Sequence, residues 1–225
     1  YTDEATEATE LYVAEGVHGA DYDFENLGIN CSQVASSNVV CDPEVPDVRV
    51  RSHHAYIEDL KSGTYYSYKL GGAGNFVYGV FKTDSDESDF TMINFTDPQT
   101  KDPSKLNYWE NTVATAFRTV GSNVDFVYNG GDLYDHNMRP ETVSRFYRWG
   151  AGVDTLGAYS GSVPVLYAGG NHEANTEKMY TSGNCVNFAG ITSDDTSAYY
   201  SFDYGPVHFV VLAWIYQTNS ADFKA

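Results

Sequence analysis

The sequence predicts an α/β domain, present in part, preceded by part of an all-β sandwich. Three observations predict it. Between residues 47 and 83 short alternating runs follow one another at the spacing of an antiparallel sandwich. After Asp89 the period changes, and apolar strand-like runs alternate with runs at helical spacing. Within that second region two buried-looking runs, 124–128 and 163–168, each end in a glycine turn followed at once by oxygen- and nitrogen-bearing side chains.

Taken in order, residues 1–47 show no clear helix or strand period and form an acidic segment assigned to the β domain. The β pattern then begins. Val48-Arg49-Val50-Arg51 alternates, and Ser52-His53-His54-Ala55-Tyr56-Ile57 leads to a turn at Leu60-Lys61-Ser62-Gly63. Thr64-Tyr65-Tyr66-Ser67-Tyr68-Lys69-Leu70 alternates again, and Gly71-Gly72-Ala73-Gly74 reads as a loop before a strand at 76–81. That loop lacks the Lys-Ser/Thr and following helix of a phosphate loop. His53 and His54 read as sheet residues rather than ligands. Residues 48–88 are therefore the C-terminal part of the sandwich, with a polar boundary at 82–89.

The second domain spans 89–225. Residues 90–95 read as a buried strand ending in Thr96-Asp97-Pro98-Gln99. Residues 106–120 place Tyr108, Val113, Ala116, Phe117 and Val120 at helical spacing. Strands at 124–128 and 163–168 flank a second helix at 141–156. A hairpin of 198–204 and 207–214, turning at Gly205-Pro206, follows. His208 reads as a core histidine of that hairpin.

Composition narrows the function. The chain has 225 residues, 42 % hydrophobic and 15 % aromatic, with 19 tyrosines, which suits an aromatic-rich β core. Its formal net charge is −18. Residues 1–50 hold eleven acids against one base, Arg49, so ten of those eighteen units lie there. A field of this sign repels nucleic acid and anionic membranes. It also repels phosphate esters unless bound cations reverse it locally. No run approaches the length of a membrane span. Asn30-Cys31-Ser32 and Asn94-Phe95-Thr96 match the glycosylation acceptor pattern, of which Asn30 is the loop candidate. Of the three cysteines, Cys31 and Cys41 either close a short loop or, like Cys185, stay as thiols. The chain is expected in a secreted, extracellular or lumenal compartment, with extracellular protein partners.

The chemistry lies at three strand ends. They carry Asp97, then Asp132 with Asp135, then Asn171 with His172. Glycines before the ligand turns let the backbone bend where a side chain would clash. Two hard cations about 4 Å apart need carboxylates, one of which bridges them, and Asp132 in the central loop is the natural bridge. Asn171 offers a neutral carbonyl oxygen, which adds a ligand without adding charge. His172 can give a proton to a leaving oxygen, and Glu173 can orient His172 through its other ring nitrogen. His136 is a candidate for the same outer layer.

The set Asp97-Pro98-Gln99, Gly131-Asp132-Leu133-Tyr134-Asp135 and Gly170-Asn171-His172-Glu173 resembles the calcineurin-like metallophosphoesterases. Within them the chain looks most like the purple acid phosphatases. Residues 54–71 are similar to the end of the family's fibronectin-like N-terminal domain, and 199–209 to a strand pair of its catalytic domain. The resemblance covers about residues 48–215. It implies a fibronectin III-like sandwich, a metallophosphatase α/β sandwich and hydrolysis of a phosphate ester. It also implies two divalent or trivalent metal ions, iron with zinc, manganese or iron. Asp97 would hold the first metal, Asp132 would bridge, and Asn171 would hold the second. The purple enzymes place a metal-binding tyrosine three residues after the bridge, where this chain has Asp135. Gln99 lies where non-purple relatives often use histidine on the first metal, and would fill that slot as a weak ligand. No histidine after His172 fits the family's downstream pattern, so the chain is read as the N-terminal portion of such an enzyme.

Overall fold

The computed structural model describes residues 2–3, 9–31, 35–40, 49–55, 57–72, 74–85, 88–99, 106–121, 123–132, 159, 161–168 and 200–212. Two antiparallel sheets occupy the N-terminal part. One orders β1 (Thr2–Asp3), β5 (Arg49–His54) and β4 (Ala35–Val40) as β1-β5-β4. The other orders β3 (Ile29–Asn30), β2 (Glu10–Glu15), β6 (Tyr65–Gly72) and β7 (Asn75–Lys82) as β3-β2-β6-β7, with the short helix α1 (Phe24–Leu27) beside it.

Strand β2 lies where no strand period was expected. Tyr12, Val13 and Ala14 are buried in succession, so the run shows no alternation, and its flanking acids disguise it further. The glycine run at 71–74 also differs from expectation. Gly71 and Gly72 belong to β6, and Gly72 pairs with Asn75 across the turn. Gly71 has φ 152°, and a Cβ there would meet Asn75 O at 2.0 Å. His53 sits in β5 as expected, with Nδ1 3.1 Å from Thr9 Oγ1. Asn30 is exposed on β3, and Cys31 beside it is a free thiol. Cys41 lies outside the described residues.

The second part begins with β8 (Met92–Phe95), followed by α2 (Leu106–Val120), β9 (Phe126–Asn129) and β10 (Val165–Tyr167). These strands form a parallel sheet in the order β10-β9-β8. The helix occupies the predicted residues, and the helix expected at 141–156 lies outside those described. Register pairs Ile93 with Val127 and Phe95 with Asn129, so these four side chains share one face. Trp109 of α2 packs edge-on against Phe95 at 5.1 Å on that face.

The other face meets the hairpin of β11 (Tyr200–Tyr204) and β12 (Val207–Val211). Phe126, fully buried, is the contact. It lies edge-on to Phe202 at 6.0 Å and Phe209 at 5.6 Å, and 4.9 Å from Tyr204. Each such pair adds roughly 0.5–1.5 kcal/mol beyond the area it buries, so Phe126 fixes where the hairpin sits. Asn94, whose acceptor sequence was expected inside a buried strand, is exposed on β8. His208 is a correction. It is exposed rather than in the core, with Nδ1 2.6 Å from Asp203 Oδ1. It pairs directly across from Asp203, and Phe209 and Val211 take the inner positions of β12.

Two contacts join this part to the N-terminal sheets. Tyr68 of β6 lies over Gly79 of β7, where a Cβ would fall 2.3 Å from the hydroxyl, and donates to Gly161 O at 2.9 Å. Gly205 N donates to Asp84 Oδ2 at 3.3 Å. Between the two parts a cleft of about 570 Å³ runs past Phe81, Lys82, Asp89, Thr91, Asp125 and Tyr204.

Burial, then the charges of Asp125 and Asp84 and the hydrogen bond to Asp125, push the Tyr204 hydroxyl up to about 12. Its value in the unfolded chain is about 10. A raised folded value means the fold favours the protonated phenol. That contribution is whole below pH ~10 and is lost as pH rises through ~12. Denaturant midpoints measured across this window should fall with pH, and Tyr204→Phe should flatten the fall. An unchanged slope in the variant would show that Tyr204 does not carry it.

Candidate metal centre

The parallel sheet brings its three strand ends level. Phe95, Asn129 and Tyr167 stand in one row across the register. Beyond this row β8 leads into Thr96-Asp97, β9 into Gly130-Gly131-Asp132, and β10 into Ala168 and the residues before Asn171. Strand β9 is the middle strand, so the Asp132 loop leaves the sheet between the other two.

Local chemistry bends these loops sharply. Gly131 has φ 106°, Asp132 52°, Asp97 54° and Gln99 39°. Among the described residues, three of the four non-glycine residues with positive φ are thus predicted site residues, and the fourth is Asp59. L-residues enter this region at a cost of roughly 1–2 kcal/mol each, and such strain gathers at functional sites. Two crossed backbone bonds link the loops. Asp97 N donates to Gly131 O at 3.0 Å, and Gln99 N donates to Asp132 O at 3.1 Å. Gly130 N donates to Phe95 O at 2.7 Å, and a Cβ on Gly130 would press on Thr96 Oγ1 at 3.3 Å.

The side chains complete the pairing. Asp132 is buried, and its Oδ2 accepts from Gln99 Nε2 at 3.1 Å. Gln99 was expected as a weak metal ligand. Its amide nitrogen bonds the Asp132 carboxylate, which leaves the side-chain oxygen as the donor a metal would use. Asp97 is exposed, and its Oδ2 accepts from Thr96 Oγ1. Asp97, Gln99 and Asp132 are therefore brought together. Asp135, His136, Asn171, His172 and Glu173 lie outside the described residues. Among the described residues no group of three or more His, Cys, Asp or Glu side chains gathers at metal-binding distance. The donors that are described, two carboxylates from adjacent loops, fit hard cations, which prefer oxygen.

Asn129 was missed. It is fully buried, and its Oδ1 accepts from Gly131 N at 3.0 Å. The signal was present, since asparagine two residues before a glycine closes a side-chain turn of this kind.

The family model for calcineurin-like phosphoesterases matches residues 90–220, more than half of the chain. The chain belongs to the calcineurin-like phosphoesterase family. The matched region contains the parallel sheet, the Asp97 and Asp132 loops and the aromatic hairpin. This is a domain of metal-dependent phosphoester hydrolases, whose cofactors are divalent metal ions. No curated protein matches the chain. Among the described residues no helix is long and apolar enough to cross a membrane.

Gly131→Ala puts a Cβ on a φ of 106° immediately before Asp132. The expected loss is about 1–3 kcal/mol, read as a lower denaturation midpoint. A midpoint equal to wild type would mean that the loop relaxes without cost.

Proposed function

We propose that the chain belongs to a dinuclear-metal, acid phosphatase-like enzyme that hydrolyses phosphomonoesters, most like the purple acid phosphatases. The observation that carries this is the crossed pairing of the Asp97 and Asp132 loops at the carboxyl end of a parallel sheet, inside the family match. Asp97 would hold the first metal, Asp132 would serve both, and Asn171 would hold the second. Asp135 is a subsidiary donor. Gln99 keeps the Asp132 carboxylate in one orientation. When bound, the metal pair supplies a water of lowered pKa and positive charge for the phosphoryl oxygens. His172 gives a proton to the leaving oxygen, Glu173 fixes its ring, and His136 stands behind Asp135. Cations at this site also offset the acidic field that would turn a phosphate ester away.

The antiparallel sheets of the N-terminal part, to which the acidic segment 1–47 contributes β1 to β4, support a fibronectin-like sandwich that continues through 48–88. The exposed Asn30 acceptor supports a secreted glycoprotein. A second reading is a catalytically inactive extracellular module on the same fold. It is favoured by Asp135 standing where the purple enzymes carry tyrosine.

Hydrolysis of para-nitrophenyl phosphate by the full-length protein separates the two. Activity should vanish with chelator, return with added metal, and fall by at least about 10³-fold in Asp132→Asn, as for loss of a principal electrostatic group. Hydrolysis that survives chelation, or none with iron, zinc or manganese supplied, would reject the enzyme.

A further inference from the structure

We infer that Asn129 is a positioning residue that ties the Asp132 loop to the end of β10, the strand that runs toward Asn171 in sequence. This rests on the metal-site reading of Asp132 and Asn171. Asn129 ends β9 and has two acceptor groups, one for each. Its Oδ1 accepts from Gly131 N at 3.0 Å, the residue before Asp132. Its main-chain oxygen accepts from Ala168 N at 2.8 Å, at the point where β10 gives way to the segment leading to Asn171. Gly131 and Ala168 are therefore tied through one residue.

The remaining polar atom argues that this arrangement is functional. Asn129 has 0 % exposure, and among the described residues its buried Nδ2 has no hydrogen-bond partner. A buried amide hydrogen left unpaired is costly. Leucine has the same branched skeleton and no such cost, so stability alone favours a hydrocarbon here. What leucine cannot do is hold Gly131 in its left-handed conformation by accepting its N–H. Asn129 lies on the sheet face shared with Phe95, away from the hairpin, so it acts on the ligands through Gly131 and Ala168 rather than by direct contact.

The test is titration of the full-length protein with Mn²⁺ alone, by calorimetry, together with the Mn²⁺-linked rise in melting temperature. Wild type should bind. Asn129→Leu should bind about 10–100-fold more weakly, as when groups that orient ligands are removed. Asn129→Ser, whose hydroxyl can still close the turn onto Gly131, should stay within about threefold of wild type. Should Asn129→Leu not fold, Asn129→Ala serves as the deletion variant. A purely structural residue would lower the metal-free melting temperature and leave the metal-linked rise intact. That outcome would overturn the inference, as would a serine variant as weak as the leucine one. Failure of wild type to bind Mn²⁺ would overturn the underlying metal-site reading instead.

Discussion

The candidate site depends on left-handed backbone in two facing loops, which the packed sheet beneath must hold in place. Asp97, Gln99, Gly131 and Asp132 all adopt positive φ, and only one of them is glycine. The three non-glycine residues each cost roughly 1–2 kcal/mol. The two crossed backbone bonds return a net of only about 0.5–1.5 kcal/mol each. The bonds alone do not hold the loops. The balance comes from the packed layers beneath, which fix the ends of β8 and β9 so firmly that the loops have nowhere to relax. In return, two carboxylates from different strands are delivered to one end of the sheet, with Gln99 bonded to one of them.

Those layers are built on residue alternation across a parallel sheet. Ile93, Phe95, Val127 and Asn129 face α2, and Phe126 faces the hairpin. A single register serves both purposes. It buries Phe126 among Phe202, Tyr204 and Phe209, and it brings Phe95, Asn129 and Tyr167 level. A slip of one residue would turn Phe126 to the helix side and move Asp132 out of line with Asp97.

Much of this was legible from residue order. The helix at 106–120 announced itself through apolar spacing on one side, and the three strands ended in the glycine and aspartate signals that mark ligand loops. What escaped notice did so for physical reasons. Strand β2 is buried on both faces and shows no alternation. His208 follows the ordinary rule for an apolar run, yet the register sets it opposite Asp203, where an exposed side-chain hydrogen bond is available. The contact of Gln99 with Asp132 was equally out of reach. The sign of φ at Gln99 and its bond to Asp132 are tertiary facts that spacing does not encode. Asn129 was hidden by its glycine neighbours, which drew attention as turn formers while the asparagine made the turn.

The central claim is that the Asp132 carboxylate lies between two cations. Anomalous diffraction from crystals of the full-length protein grown with manganese tests this most directly. The account predicts two peaks about 4 Å apart, with Asp132 between them and Asp97 on one. A single peak elsewhere, or two peaks that leave Asp132 bonded only to Gln99, would contradict it.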